Sequence, residues 1–297
     1  MLAGYRRSCP QSRQFRESAT LRSCGFRVRR NWGVIHSEAP RSPQKTAQAP
    51  AGGRRQAYTE MKMVPKLLYK YAVPDRIDVL TGGRIRFTQP CFLNDPFEFS
   101  PGLPAADLRD VGHFEAKVAK RRNAAFEERS HTSGILSLTQ EPDSIPMWAH
   151  YAAAHTGFVI AFDAASTLFK CAIESGKLQP VRYCSARISL TRGLHGQPWV
   201  RPEAIFRTKS TEWEYEHEWR WIENDIPGSW VVNGPAGELF LGPVPPDAIR
   251  EIILGHRTGP SLTESVREIA SVADYEHVTL SKIVLDECSY KLDVRPL

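Results

Sequence analysis

Cysteine is sparse in this chain and never arranged in pairs. Cys9 and Cys24 stand near the N-terminus, and Cys91, Cys171, Cys184 and Cys288 are scattered singly, with no Cys-x-x-Cys spacing anywhere. That pattern argues against a structural zinc site and against a disulfide framework, and it fits a reducing cytoplasm. The glycine loop of dinucleotide-binding folds, the phosphate loop ending in Gly-Lys-Ser/Thr, the Gly-x-Ser-x-Gly elbow and His-Glu-x-x-His are all missing too. The common routes to nucleotide, acyl and zinc chemistry that those motifs mark are therefore not indicated. His150 and His155 lie five apart, an awkward spacing for shared metal ligation on a straight helix, so no metal site is expected. No run approaches the roughly 18 apolar residues that a membrane span needs, and no apolar stretch with a cleavage site follows the first Met. A soluble, cytoplasmic protein without membrane association is the expectation, and no internal repeat is visible.

What the chain does have is an uneven charge. Its 39 basic and 33 acidic residues give a net charge of +6. Residues 1–60 hold 12 of the Lys and Arg and only three acids, Glu17, Glu38 and Glu60, which leaves 27 basic and 30 acidic residues for the rest. The body is thus slightly acidic, and nucleic acid is not its expected partner. The first 62 residues lack a sustained apolar period, and three explanations fit them: a disordered basic arm, an Arg-rich presequence, or a recorded start upstream of the real one at Met61 or Met63. The last is preferred, and residues 63–297 are read as one domain.

The body alternates short strands with helices, which predicts an α+β fold of mixed, mostly antiparallel sheets with helices around a central cleft. Strands are expected at 66–71, 84–88, 134–139, 158–163, 179–184, 215–222, 238–241, 249–255, 278–285 and 290–294. Helices are expected at 76–80, 108–129, 146–155, 164–171, 203–211 and 261–270. Strands 249–255 and 278–285 flank a helix, so a parallel pairing is predicted for them. Residues 185–199 have no period and read as a loop.

Three stretches carry candidate chemistry. In Pro90-Cys-Phe-Leu-Asn-Asp-Pro-Phe-Glu98, Asn and Asp before Pro predict a turn that puts Asn94, Asp95 and Glu98 at a pocket edge. In Ile145-Pro-Met-Trp-Ala-His-Tyr151, Met147, Trp148, Tyr151 and Ala152 share one helical side, His150 projects elsewhere, and Gly157 allows a sharp turn into the next strand. Trp148 and Tyr151 also read as plain core anchors, with His155 closing the helix. In Glu212-Trp-Glu-Tyr-Glu-His-Glu-Trp-Arg-Trp-Ile-Glu223, an extended chain places Tyr215, His217, Trp219 and Trp221 on one face and Glu216, Glu218, Arg220 and Ile222 on the other. On an exposed strand that charged row is unremarkable; in a cleft its ionisation would be perturbed, as at functional sites.

Four ordered motifs resemble the bacterial family known as domain of unknown function 2971. They are Leu68-Tyr-Lys-Tyr71; Ile85-Arg-Phe87 with Asn94-Asp-Pro-Phe-Glu98; Met147-Trp-Ala-His-Tyr151 with His155-Thr-Gly-Phe158; and Tyr215-Glu-His-Glu-Trp-Arg220. A weaker resemblance lies in their order: a first strand with polar aromatics, a middle strand and aromatic helix, then a late strand with Glu-x-Glu, which is similar to the layout of ADP-ribosyltransferase folds. Tyr69, Lys70 or Tyr71 stands where those enzymes carry His or Arg, and no clear Ser-Thr-Ser segment occurs. The resemblance implies NAD as candidate substrate in a cleft. Glu216, Glu218 and His155 are then the catalytic candidates. Tyr69, Lys70, Tyr71, Asn94, Asp95, Glu98, Trp148, His150, Tyr151 and Arg220 are the ligand-binding ones. Two other readings stay open: a non-enzymatic module that senses a small nucleotide, and a nucleic-acid-acting phage-defence component relying on a local patch at Arg84, Arg86 and Arg207.

Overall fold

The structure, a computed structural model, describes residues 63–98, 113–188, 202–235 and 237–297. The expectations for residues 1–62 and for most of the 185–199 loop fall outside the described residues. Strand β1, Leu67–Ala72, is followed by a 3-10 turn at Pro74–Ile77 and helix α1, Asp78–Gly82; β2 is Arg84–Phe87. Helix α2, His113–Thr132, leads to β3, Gly134–Thr139, then α3, Ile145–Tyr151, β4, Phe158–Asp163, and α4, Thr167–Glu174. The strand expected at 179–184 is two, β5 at Leu178–Pro180 and β6 at Arg182–Cys184.

Two departures follow. The helix expected over 203–211 stops early: α5 is Pro202–Phe206, and Thr208–Ser210 forms β7, paired in parallel with β6. The strand expected from 215 begins only at Glu218. Residues Thr211–Glu216 coil into a 3-10 helix, capped by the Ser210 side chain at its start and by left-handed His217 (φ 42°) at its end. Strand β8 is then Glu218–Glu223. The last third gives β9, Val231–Gly234, β10, Gly237–Pro243, β11, Ile249–Leu254, α6, Pro260–Ala270, β12, Thr279–Leu285, and β13, Leu292–Pro296.

The fold is α+β with a mostly antiparallel sheet of eight strands in the order β13-β12-β11-β4-β1-β3-β8-β5. The pair β11–β12 runs parallel, as the helix between them predicts. A smaller sheet, β9-β10-β2, packs Phe87 and Phe240 into the same core. Strand β4 from Phe158 to Phe162 and β11 from Ile252 to Leu254 are apolar on both faces, as buried inner strands are. Trp219 and Trp221 of β8 point into the main core, where Phe87 and Phe169 meet Trp221 edge-on at 5.3 and 5.8 Å. The opposite face of β8 is buried as well, and it carries charge.

Candidate functional site

Three neighbouring strands, β1, β3 and β8, define the floor of a cavity of about 170 Å³. Tyr69, Lys70 and Tyr71 of β1, Ser137 and Thr139 of β3, and Glu218 and Arg220 of β8 line it. Asn94 and Glu98 from the Asn-Asp-Pro turn and Tyr151 from α3 close the sides. Segments more than a hundred residues apart therefore meet at one place.

Charge dominates the β8 side. Glu98, Lys209, Glu216, Glu218 and Arg220 are all buried, Arg220 to 1 % exposure. Arg220 donates to both oxygens of Glu218, Nε to Oε1 at 2.7 Å and Nη2 to Oε2 at 2.9 Å, and also to Glu98 Oε1 at 2.5 Å. Its Nη1 donates to the Phe206 carbonyl at 2.8 Å. Lys209 Nζ donates to Glu216 Oε2 at 2.5 Å and Glu218 Oε2 at 3.2 Å, and lies 3.5 Å from Glu98 Oε1. Two cations thus hold three carboxylates out of water, an arrangement that persists only when almost every charged group is paired.

Ionisation follows from this geometry. Burial pushes the Glu218 carboxyl up, but Arg220 and Lys209 outweigh it and hold it at about 2. For Glu98 burial wins over the same two cations, and its carboxyl is raised. Burial works against the charged form of Lys209 as well, yet Glu218, Glu98 and Glu216 raise it. Lys70 differs: burial brings its ammonium down to about 8, and it donates to the Ser137 carbonyl at 3.0 Å. Tyr151 donates to Glu216 Oε1 at 2.6 Å and accepts from Asn94 Nδ2 at 3.1 Å. Burial and the Glu216 charge hold that phenol protonated.

Glu216 reaches the cluster although it precedes the strand. The left-handed turn at His217 rotates the chain between Glu216 and Glu218, and Thr139 Oγ1 fixes the Glu216 carbonyl at 2.6 Å. His217 itself faces away and meets Glu141 Oε1 through Nδ1 at 2.7 Å.

Not every residue singled out in the sequence lies here. Trp148 is fully buried in a separate apolar cluster, with its indole N–H on the Pro142 carbonyl and its ring edge-on to Tyr71. His155 stacks on Trp148 at 6.1 Å, and His150 is exposed. Asp95 belongs to a neighbouring cavity of about 240 Å³, which shares Glu98 and Lys209 with the first. Lys209 is not legible as a site residue in the sequence, because the helix expected over 203–211 hides the short strand that carries it. The available signal was a lone lysine just before four acids at alternate positions, Glu212, Glu214, Glu216 and Glu218.

Among the described residues, no group of three or more His, Cys, Asp and Glu side chains is placed to hold a metal. No helix is long and apolar enough to cross a membrane among the described residues. No curated protein and no solved structure matches the chain. Residues 147–221, from α3 into β8, match the model of a family described as protein of unknown function (DUF2971), which supports the family resemblance carried by the Trp-Ala-His-Tyr and Glu-His-Glu-Trp-Arg motifs.

Proposed function

We propose that the cavity binds a nicotinamide dinucleotide and that Glu218 assists cleavage of its glycosidic bond, making the chain an NAD glycohydrolase or ADP-ribosyltransferase. The observation that carries this reading is the adjacency of β1, β3 and β8, which brings Lys70, Ser137 and the Glu216/Glu218 pair onto one cavity. As nicotinamide departs, positive charge builds on the ribose. A carboxylate held near pKa 2 is ionised at every physiological pH and offers that charge a fixed negative partner. Glu216 keeps one hydrogen bond per oxygen, from Tyr151 and from Lys209, and has lone-pair capacity left to orient a water or an acceptor hydroxyl. Each cavity is smaller than the roughly 300–1,000 Å³ usual for such ligands, so a dinucleotide would have to span both, past the Glu98 and Lys209 side chains that they share.

The test is nicotinamide release from NAD by the purified chain, with label transfer followed in parallel. Glu218→Gln keeps an oxygen for Arg220 and is expected to lower kcat by about 10²- to 10³-fold with little change in KM. The absence of both turnover and heat of NAD binding in calorimetry would rule the reading out. A second reading, a nucleotide sensor without turnover, draws on the pairing of both glutamates in ion contacts that stiffen the site. It predicts NAD binding with no nicotinamide released.

A further inference from the structure

The eight-stranded sheet ends on β13, and among the described residues no strand lies beyond it. Its register with β12 sets Val294 against Ile283 and Leu292 against Leu285. Leu297 donates to the Leu280 carbonyl at 2.9 Å and Asp286 to the Lys291 carbonyl at 3.1 Å, which marks 291 and 297 as hydrogen-bonded positions of this antiparallel ladder. Bonded positions alternate along a strand. The backbone groups of Asp293 and Arg295 therefore turn toward β12, and those of Leu292, Val294 and Pro296 turn outward. Pro296 lacks a donor only on the open side, where the ladder does not use one.

An open edge is a template for another strand, and charge or proline commonly guards it. Both are present here, but their placement selects a partner. Asp293 and Arg295 flank Val294 and meet each other at 3.1 Å, with side chains 40 % and 60 % exposed. Turned about a two-fold axis through Val294, a second copy of β13 brings each Asp293 opposite the other copy's Arg295. The two Val294 residues then exchange both backbone bonds, and each Leu292 amide meets the other copy's Pro296 carbonyl. Neighbouring registers are worse. An axis through Asp293 opposes the two aspartates and sets Lys291 against Arg295, and one through Arg295 opposes the two arginines. An axis through Pro296 has no central donor, and one through Leu292 needs residues that precede the strand. At the strand's ends stand two exposed apolar side chains, Tyr290 and Leu297, and the Val294 register brings Tyr290 of one copy beside Leu297 of the other.

We infer that the chain forms a symmetric dimer through β13, joining two eight-stranded sheets edge to edge. The inference is independent of the reading of the cavity, since β1, β3 and β8 lie in the other half of the sheet.

Analytical ultracentrifugation of the full chain from about 1 to 100 µM tests it. The expected result is a dimer that dissociates on dilution and more readily at high salt. Asp293→Arg and Arg295→Asp each set like charges face to face, and each is expected to weaken association at least about tenfold. An equimolar mixture of the two variants joins a copy with arginine at both positions to a copy with aspartate at both. It should dimerise within about threefold of the unaltered protein, which also shows that both variants fold. A chain that stays monomeric up to about 100 µM overturns the inference, and its edge is then guarded or open to a strand of another protein. Association unchanged within about twofold in both variants places the interface elsewhere and overturns it as well. So do variants that remain apart when mixed.

Discussion

Lys209 is the single side chain on which the buried charge balance turns. Its ammonium reaches Glu216, Glu218 and Glu98, and its removal leaves three carboxylates to one guanidinium. Lys209→Met, of similar length but uncharged, is expected to destabilise the protein by about 3–5 kcal/mol, measured by denaturant unfolding. Glu218 carries the corresponding pH dependence. Its folded carboxyl sits at about 2 against an ordinary 4.5, so the folded state binds that proton less readily than the unfolded chain. The stabilisation is complete above about pH 4.5 and drains away as pH falls toward 2. Unfolding free energies measured across that window should fall more steeply for the unaltered protein than for Glu218→Gln. The individual charged residues were legible as a row on paper, but their partners were not. Nothing in the local sequence says that Glu98 lies beside Arg220, because that contact is made by tertiary folding across 122 positions.

At the scale of elements, the turn between α3 and β4 shows how the aromatic helix is locked against the site. Ala153, Ala154 and His155 all have positive φ (47°, 53° and 71°), and they, not Gly157, make the sharp turn. Gly157 is needed for a different reason: a Cβ there would lie 2.1 Å from the carbonyl oxygen of Ala72, at the end of β1. Gly157→Ala should therefore push on the strand that carries Lys70 and cost about 1–3 kcal/mol or more. Ala154→Gly relieves a left-handed alanine and is expected to gain up to about 1 kcal/mol, after the entropy of the added glycine is offset. Thermal melts of the two variants should move in opposite directions. Most strands and helices were readable because their apolar period is local. The 3-10 turn at 211–216 was not, since alternating aromatic and acidic residues look extended. What coils them is a cap from Ser210 and the bond from Thr139 on another strand.

For the whole molecule, the basic character of the chain does not come from the folded body. Residues 61–297 hold 27 basic and 30 acidic residues, so the excess of positive charge belongs to residues 1–60. Of the local patch weighed for nucleic acid, Arg84 donates to the Leu241 and Ser229 carbonyls and Arg207 to those of Gly176 and Lys177. Arg86 remains, half-buried on β2. The slight excess of acids gives the folded part no net attraction for successive phosphates. The full chain should therefore bind duplex DNA with an affinity that falls steeply as salt rises, whereas a chain beginning at Met61 should not bind measurably at about 0.15 M salt. Filter binding or anisotropy with both chains decides the matter. Retained, salt-sensitive binding by the shorter chain would place a nucleic-acid surface on the folded body itself and reverse the assignment of polyanion binding to the N-terminal charge.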